Sequence, residues 1–130
     1  MKIYLAGGTR TDWQDAFIKR YPTVEFVDPR SHGLVLAREY TFADKMGIKQ
    51  SDLVVGYFER ANPSGLGLAY EIGYADGLGI PVLLIDEKED KYAAMLRASL
   101  PFFYSTVREA FDLLDALIGR DKVNKEEDDE

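Results

Sequence analysis

The sequence predicts an α/β three-layer sandwich, a parallel sheet of four to five strands with helices on both faces. Three observations carry this. Short apolar runs at 2–6, 24–27, 53–58 and 81–85 alternate with segments of helical periodicity. The runs are apolar almost throughout, as strands buried on both sides are, instead of alternating between apolar and polar. Turn-forming residues follow the first two, Gly7-Gly8 and Asp28-Pro29, and a polar loop follows the third. Right-handed crossovers then give a Rossmann-like or flavodoxin-like sheet, which binds ligands beyond the carboxyl ends of its strands.

The first strand, Lys2 to Ala6, stops at Gly7-Gly8. Thr11 or Asp12 caps a helix whose inner face is Trp13, Ala16, Phe17 and Tyr21. Val24 to Val27 is the second strand, and residues 30–37 read as loop. A helix follows from about Arg38 to Gln50, then the strand Leu53 to Phe58, rich in β-branched and aromatic residues. Glu59 to Gly67 is a polar loop, Leu68 to Leu78 a helix ended by Gly79, and Pro81 to Ile85 the fourth strand. Residues 89–98 read as helix and Leu100 to Tyr104 as a short fifth strand. In the last helix Val107, Ala110, Phe111, Leu114, Leu117 and Ile118 recur at helical spacing, behind a capping box of Thr106 and Glu109. Residues 1–119 therefore read as one domain. Residues 120–130, acidic with almost nothing to bury, read as a disordered tail.

Composition narrows the function. The 130 residues suffice for one core. With 16 Lys and Arg against 23 Asp and Glu the net charge is −7, which argues against a nucleic acid polymer or an anionic membrane as partner. There is no cysteine, so disulfides, thiol nucleophiles and cysteine metal sites are excluded, and one histidine, His32, excludes multi-histidine metal sites. No apolar run approaches the ~18–20 residues of a membrane span, and the apolar start is too short for a signal peptide. The expectation is a cytoplasmic protein without metal or cofactor.

Two carboxylates stand out. Glu71 lies at the edge of the stripe Leu68, Ile72, Ala75 and Leu78, near the start of a helix that follows a ligand loop. The helix N-terminus keeps such a group ionised, as a carboxylate nucleophile requires; otherwise it simply answers the helix dipole. Asp44 shares a largely uncharged helix face with Tyr40, Ala43, Gly47 and Ile48, either as a proton donor beside a desolvated site or as an ordinary surface acid. Gly7, Gly8, Thr9 and Arg10 form an anion-binding loop or a plain strand-to-helix turn. Ser64, Gly65 and Gly67 repeat that pattern with a hydroxyl in place of the guanidinium. Tyr4 is core or pocket, and His32, in a polar loop, reads as a surface residue.

Three segments together resemble the nucleoside 2-deoxyribosyltransferase family and its relatives, the nucleoside 5'-monophosphate N-glycosidases. Ile3-Tyr4-Leu5-Ala6-Gly7 is similar to the family's opening strand and turn. Residues 44–52, with Asp44, Gly47, Ile48 and Asp52, resemble its D-x-x-G-I-x-x-x-D segment. Residues 65–75, with Gly65, Gly67, Glu71, Gly73, Tyr74 and Ala75, resemble its G-x-G…E-[IL]-G-Y-A segment. The resemblance spans roughly residues 2–98. It implies that Glu71 attacks the anomeric carbon of a 2-deoxyribosyl group, that Asp44 protonates or hydrogen-bonds the departing base, and that Tyr4 holds the nucleophile. The partners so implied are a deoxynucleoside or deoxynucleotide and a free nucleobase, with subunits joined in a homo-oligomer.

The first reading is therefore base exchange between deoxynucleosides through a deoxyribosyl–Glu71 intermediate. The alternative is a 2'-deoxynucleoside 5'-monophosphate N-glycosidase, toward which Pro63-Ser64 and the loop 7–10 lean. Two departures from that branch are a loop before Glu71 one residue longer, and Ala93 where the family tends to place a polar residue that reaches the neighbouring subunit's sugar. A non-catalytic nucleotide-binding module is the third reading.

Overall fold

The computed structural model describes residues 1–100 and 102–119. The elements are β1 (Lys2–Gly7), α1 (Trp13–Arg20), β2 (Glu25–Val27), a 3-10 helix (Pro29–His32), α2 (Ala37–Lys49), β3 (Leu53–Phe58), α3 (Leu66–Gly77), β4 (Val82–Asp86), a second 3-10 helix (Lys91–Ala93), α4 (Ala94–Ser99), β5 (Phe103–Tyr104) and α5 (Val107–Ile118). The five strands are parallel in the order β2-β1-β3-β4-β5. That is the flavodoxin-like order, whose reversal point lies between β1 and β3.

Residues of each strand alternate between two cores, so the strands need apolar residues at nearly every position. Ile3, Leu5, Val55 and Ile85 meet Trp13 and Phe17 of α1 and Leu114 of α5 on one face. Tyr4, Ala6, Val54 and Leu84 meet Ile48 of α2 and Leu68 and Ile72 of α3 on the other. The first face is tied by a buried ion pair. The Arg20 guanidinium donates to both oxygens of Asp115, at 3.2 and 2.6 Å, and the Tyr21 hydroxyl donates to Asp115 Oδ1 at 2.7 Å. This clamps the end of α1 to the end of α5.

Several expectations are corrected by tertiary contacts. On α1 it is Gln14, not Ala16, that turns inward, because its amide reaches the Gly8 carbonyl at 3.1 Å. Asp12 precedes α1 without a capping side-chain bond, and Thr11 instead donates its hydroxyl to Glu59 Oε2 at 2.6 Å. Residues 30–37 are not simply loop. Asp28 caps a 3-10 helix that starts at Pro29, and α2 begins at Ala37. The segment read as one helix at 89–98 divides into a 3-10 turn and α4. Leu78 and Leu117 are exposed instead of core. Of the capping box read at Thr106 and Glu109, the Thr106 cap forms, its hydroxyl accepting the Glu109 amide at 3.3 Å, while the Glu109 carboxylate accepts from that hydroxyl at 2.9 Å instead of from the backbone. Of the fifth strand Phe103 and Tyr104 pair with β4, while Pro101 and the acidic tail lie outside the described residues. No helix among the described residues is long and apolar enough to cross a membrane.

Candidate active site

The reversal point of the sheet positions the site. Tyr4, in the middle of β1, points toward the α2–α3 side and is buried. Its hydroxyl donates to Glu71 Oε2, in the second turn of α3. Helix α2 comes close to the same ring at Gly47. A Cβ there would stand 3.1 Å from Tyr4 Cε2 and 2.9 Å from Val27 Cγ1, so the D-x-x-G spacing is a packing requirement as well as a motif. One turn before Gly47, Asp44 accepts a hydrogen bond from His32 at 3.0 Å. Glu71 and Asp44 open onto one cavity of about 460 Å³, whose wall also holds Gly7, Thr9, Arg30 and His32.

Burial dominates the electrostatics. It pushes the Glu71 carboxyl from 4.5 up to about 7; the Tyr4 hydrogen bond pulls the other way, and the Asp44 charge adds to the rise. The expectation that the helix N-terminus holds Glu71 ionised is therefore corrected. In the second turn of α3 the end charges are weak, and the loss of water outweighs them. Burial, and then the neighbouring Glu71 and Asp44, raise the Tyr4 hydroxyl far above its ordinary value, so it remains a donor. A partly desolvated carboxylate titrating near neutrality, oriented by a permanent donor, is equipped to attack an electrophilic carbon.

The remaining candidate residues divide. Gly7 and Thr9 line the cavity. The Gly8 carbonyl accepts from Trp13 Nε1 at 2.9 Å and from Gln14, which fixes the loop to α1. Arg10 is exposed and is not among the lining residues. The guanidinium at the wall is Arg30, which donates to Asp28 and, at 2.7 Å, to Asp15. Ser64 and Gly65 line a neighbouring hollow of about 370 Å³ with Phe58, Tyr92, Ala93 and Met95, and Gly67 lines neither space. Asn62 Oδ1 accepts from the amides of Ser64 and Gly65, and Gly65 takes φ 74° against the Phe58 ring.

His32 and Arg30 line the cavity although the sequence does not single them out for a site. The available signal was Asp28-Pro29 followed by Gly33, a cap and stop around one short helical turn. Among the described residues no group of three or more His, Asp or Glu side chains could hold a metal.

No protein-family model matches the sequence, and no curated protein matches it. Solved structures do. The chain superposes on the 2-deoxyribosyltransferase of Bacillus psychrosaccharolyticus with a TM-score of 0.68 at 22% identity, over 85% of this chain and 90% of that one. It has the 2-deoxyribosyltransferase fold. The same fold is found in the CMP N-glycosidase BcmB of Clostridium botulinum, with a TM-score of 0.66 at 19% identity over 90% of this chain and 99% of that one. A 2-desoxiribosyltransferase of Leishmania mexicana aligns with a TM-score of 0.60 at 18% identity, over 86% and 95%.

Proposed function

We propose that the chain is a nucleoside 2-deoxyribosyltransferase that moves the sugar of a 2'-deoxynucleoside from one base to another through an ester on Glu71. The observation that carries this reading is the Glu71 carboxylate, bonded to Tyr4, titrating near neutrality and sharing its cavity with Asp44. The likeness in fold to deoxyribosyl-transferring enzymes supports it.

In the first half-reaction Tyr4 holds Oε2, and Glu71 Oε1 bonds to the anomeric carbon as the C–N bond breaks. The reactive form carries one proton on the pair, placed on Asp44 with Glu71 ionised; the bonding electrons leave with the base, whose nitrogen takes that proton. In the second half a nitrogen of the incoming base attacks the anomeric carbon. The ester C–O bond breaks, Glu71 departs as a carboxylate, and the proton shed by the incoming base returns to Asp44. A 2-deoxy sugar suits this route, because no 2-hydroxyl withdraws electrons from the oxocarbenium-like transition state. No metal or organic cofactor enters the scheme.

A second reading, hydrolysis of a 5'-monophosphate, draws on the likeness to the CMP N-glycosidase. Against it, Arg10 lies outside the cavity lining and Arg30 is already held by Asp28 and Asp15. Incubation with deoxyinosine and adenine, and separately with deoxynucleoside monophosphates, tests the two. New deoxyadenosine is the expected product; free base from the monophosphates alone would replace transfer with hydrolysis.

The proposal includes self-association. Phe42 and Met46 on α2, Leu66 and Tyr70 on α3, and Tyr92 and Met95 near α4 are exposed on the same side of the sheet, which offers an apolar face to a second copy. Light scattering on the eluting protein should give a dimer or larger species; a monomer at assay concentration would remove this part.

A further inference from the structure

We propose that His32 is a positioning residue for Asp44: its neutral ring, fixed as the Nε2–H tautomer, engages one carboxylate oxygen and reserves the other for the nucleobase. The reservation for a nucleobase rests on the functional reading above; the fixed ring does not.

The inference starts from the turn that carries the histidine. Asp28 accepts the Arg30 amide at 3.0 Å, and Ser31 Oγ donates back to the Asp28 carbonyl at 2.7 Å. Pro29 sets the first helical position, and Gly33, at φ 65°, reverses the chain after His32. That left-handed residue brings the Leu34 amide back onto the ring, where it donates to His32 Nδ1 at 2.9 Å. A backbone N–H is only ever a donor, so Nδ1 must present its lone pair. The proton of the neutral ring is therefore on Nε2, and Nε2 lies 3.0 Å from Asp44 Oδ1. The amide thus settles a tautomer that coordinates alone leave open.

Three consequences follow. A second proton on the ring would set Nδ1–H against the Leu34 N–H, so His32 donates a hydrogen bond without serving as the acid. Asp44 Oδ1 is always an acceptor for the ring, so a proton exchanged with the base travels on Oδ2. The other titratable groups on the cavity wall are Arg30 on the same turn, Tyr40 on α2 and Glu71 on α3, and no hydrogen bond joins any of them to the ring. The pair sits at the cavity mouth, with His32 at the surface as a residue and the two side chains 26% and 19% exposed.

The chain has one histidine, so nitrogen-15 NMR of the uniformly labelled protein shows one imidazole. The expected spectrum near neutrality is a neutral ring with the proton on Nε2, and Asp44→Asn should move the Nε2 resonance without changing the tautomer. A ring that averages between tautomers, or carries its proton on Nδ1, overturns the proposal.

The kinetic arm uses two replacements that keep different halves of the ring. In His32→Gln the side-chain amide reaches the place of Nε2 and still donates to Asp44. In His32→Asn only the Nδ1 end is mimicked. With 2'-deoxynucleosides as donors, kcat for His32→Asn should fall by about 10- to 100-fold, the loss of a hydrogen bond to a charged group, with KM changed much less. His32→Gln should recover most of it. Equal rates for His32→Asn and wild type, both folded by circular dichroism, overturn the proposal. A wild-type protein with the fixed tautomer that turns over no deoxynucleoside would support the pair and overturn the functional reading instead.

Discussion

Burial of Glu71 has a thermodynamic cost that a single substitution exposes. Its carboxyl rises from 4.5 to about 7 in the folded chain. At about 1.36 kcal/mol per pH unit, ionising it in place costs roughly 3 kcal/mol more than ionising it in the unfolded chain. The sign is set by which state lets go of the proton first. As pH rises through 4.5 the unfolded chain releases it while the folded chain keeps it, so stability falls until about pH 7 and is level above. Glu71→Gln removes the titration. Its amide oxygen still accepts from Tyr4, as the protonated carboxyl does. The variant should therefore be more stable than wild type by about 3 kcal/mol at pH 8, roughly 12 °C in Tm, and near wild type at pH 4.5. Thermal melts followed by circular dichroism at the two pH values measure this. A variant less stable than wild type at pH 8, or stabilised equally at both, would refute the reasoning that burial sets the Glu71 proton affinity. The same variant should have no transferase activity, so stability and function would trade at one side chain.

Since attack needs ionised Glu71, kcat/KM should show an acid limb near pH 7; Tyr4→Phe removes the bond that favours the ionised form, so that limb should move to higher pH and the maximum should drop, as a pH–rate profile would record. Gly47→Ala should lower both kcat and Tm, because the new methyl presses on the Tyr4 ring and Val27 by more than the helix propensity of alanine, about 1 kcal/mol, returns; kinetics beside a melt measures both. Asp115→Ala should cost about 3–5 kcal/mol in urea unfolding, since it leaves the buried Arg20 guanidinium without its main partner, and should leave the pH dependence of kcat/KM in place.

What could be read in the sequence was what local pattern decides. The run Leu53 to Phe58 is a strand with those same ends, because β-branched and aromatic residues there are bounded by Asp52 and Glu59. The last helix follows its apolar period and its Thr106 cap. Glu71 stood out because a carboxylate at the edge of an apolar stripe needs a reason, and Gly47 because of its place after Asp44. The rest depends on contacts across the chain. Arg20 and Asp115 meet over 95 positions, and neither looks unlike a surface charge in isolation. His32 reads as a surface residue and lies at the surface; its bond to Asp44, twelve residues on, is not legible because it depends on the left-handed turn at Gly33. The ionisation of Glu71 is not legible for the same reason: the helix end is visible in the sequence, whereas the desolvation comes from Tyr4 and the packed α2–α3 face. The corrected carboxylate is the better equipped one, since a group that titrates near neutrality is both available and reactive.

The covalent ester on Glu71 is the central claim, and intact-protein mass spectrometry tests it most directly. Wild-type protein incubated with deoxyinosine in the absence of an acceptor base, then acid-quenched, should gain the mass of one deoxyribosyl unit, mapped by peptide digestion to Glu71 and absent from Glu71→Gln. Turnover with no such adduct, or an adduct that persists in Glu71→Gln, would contradict it.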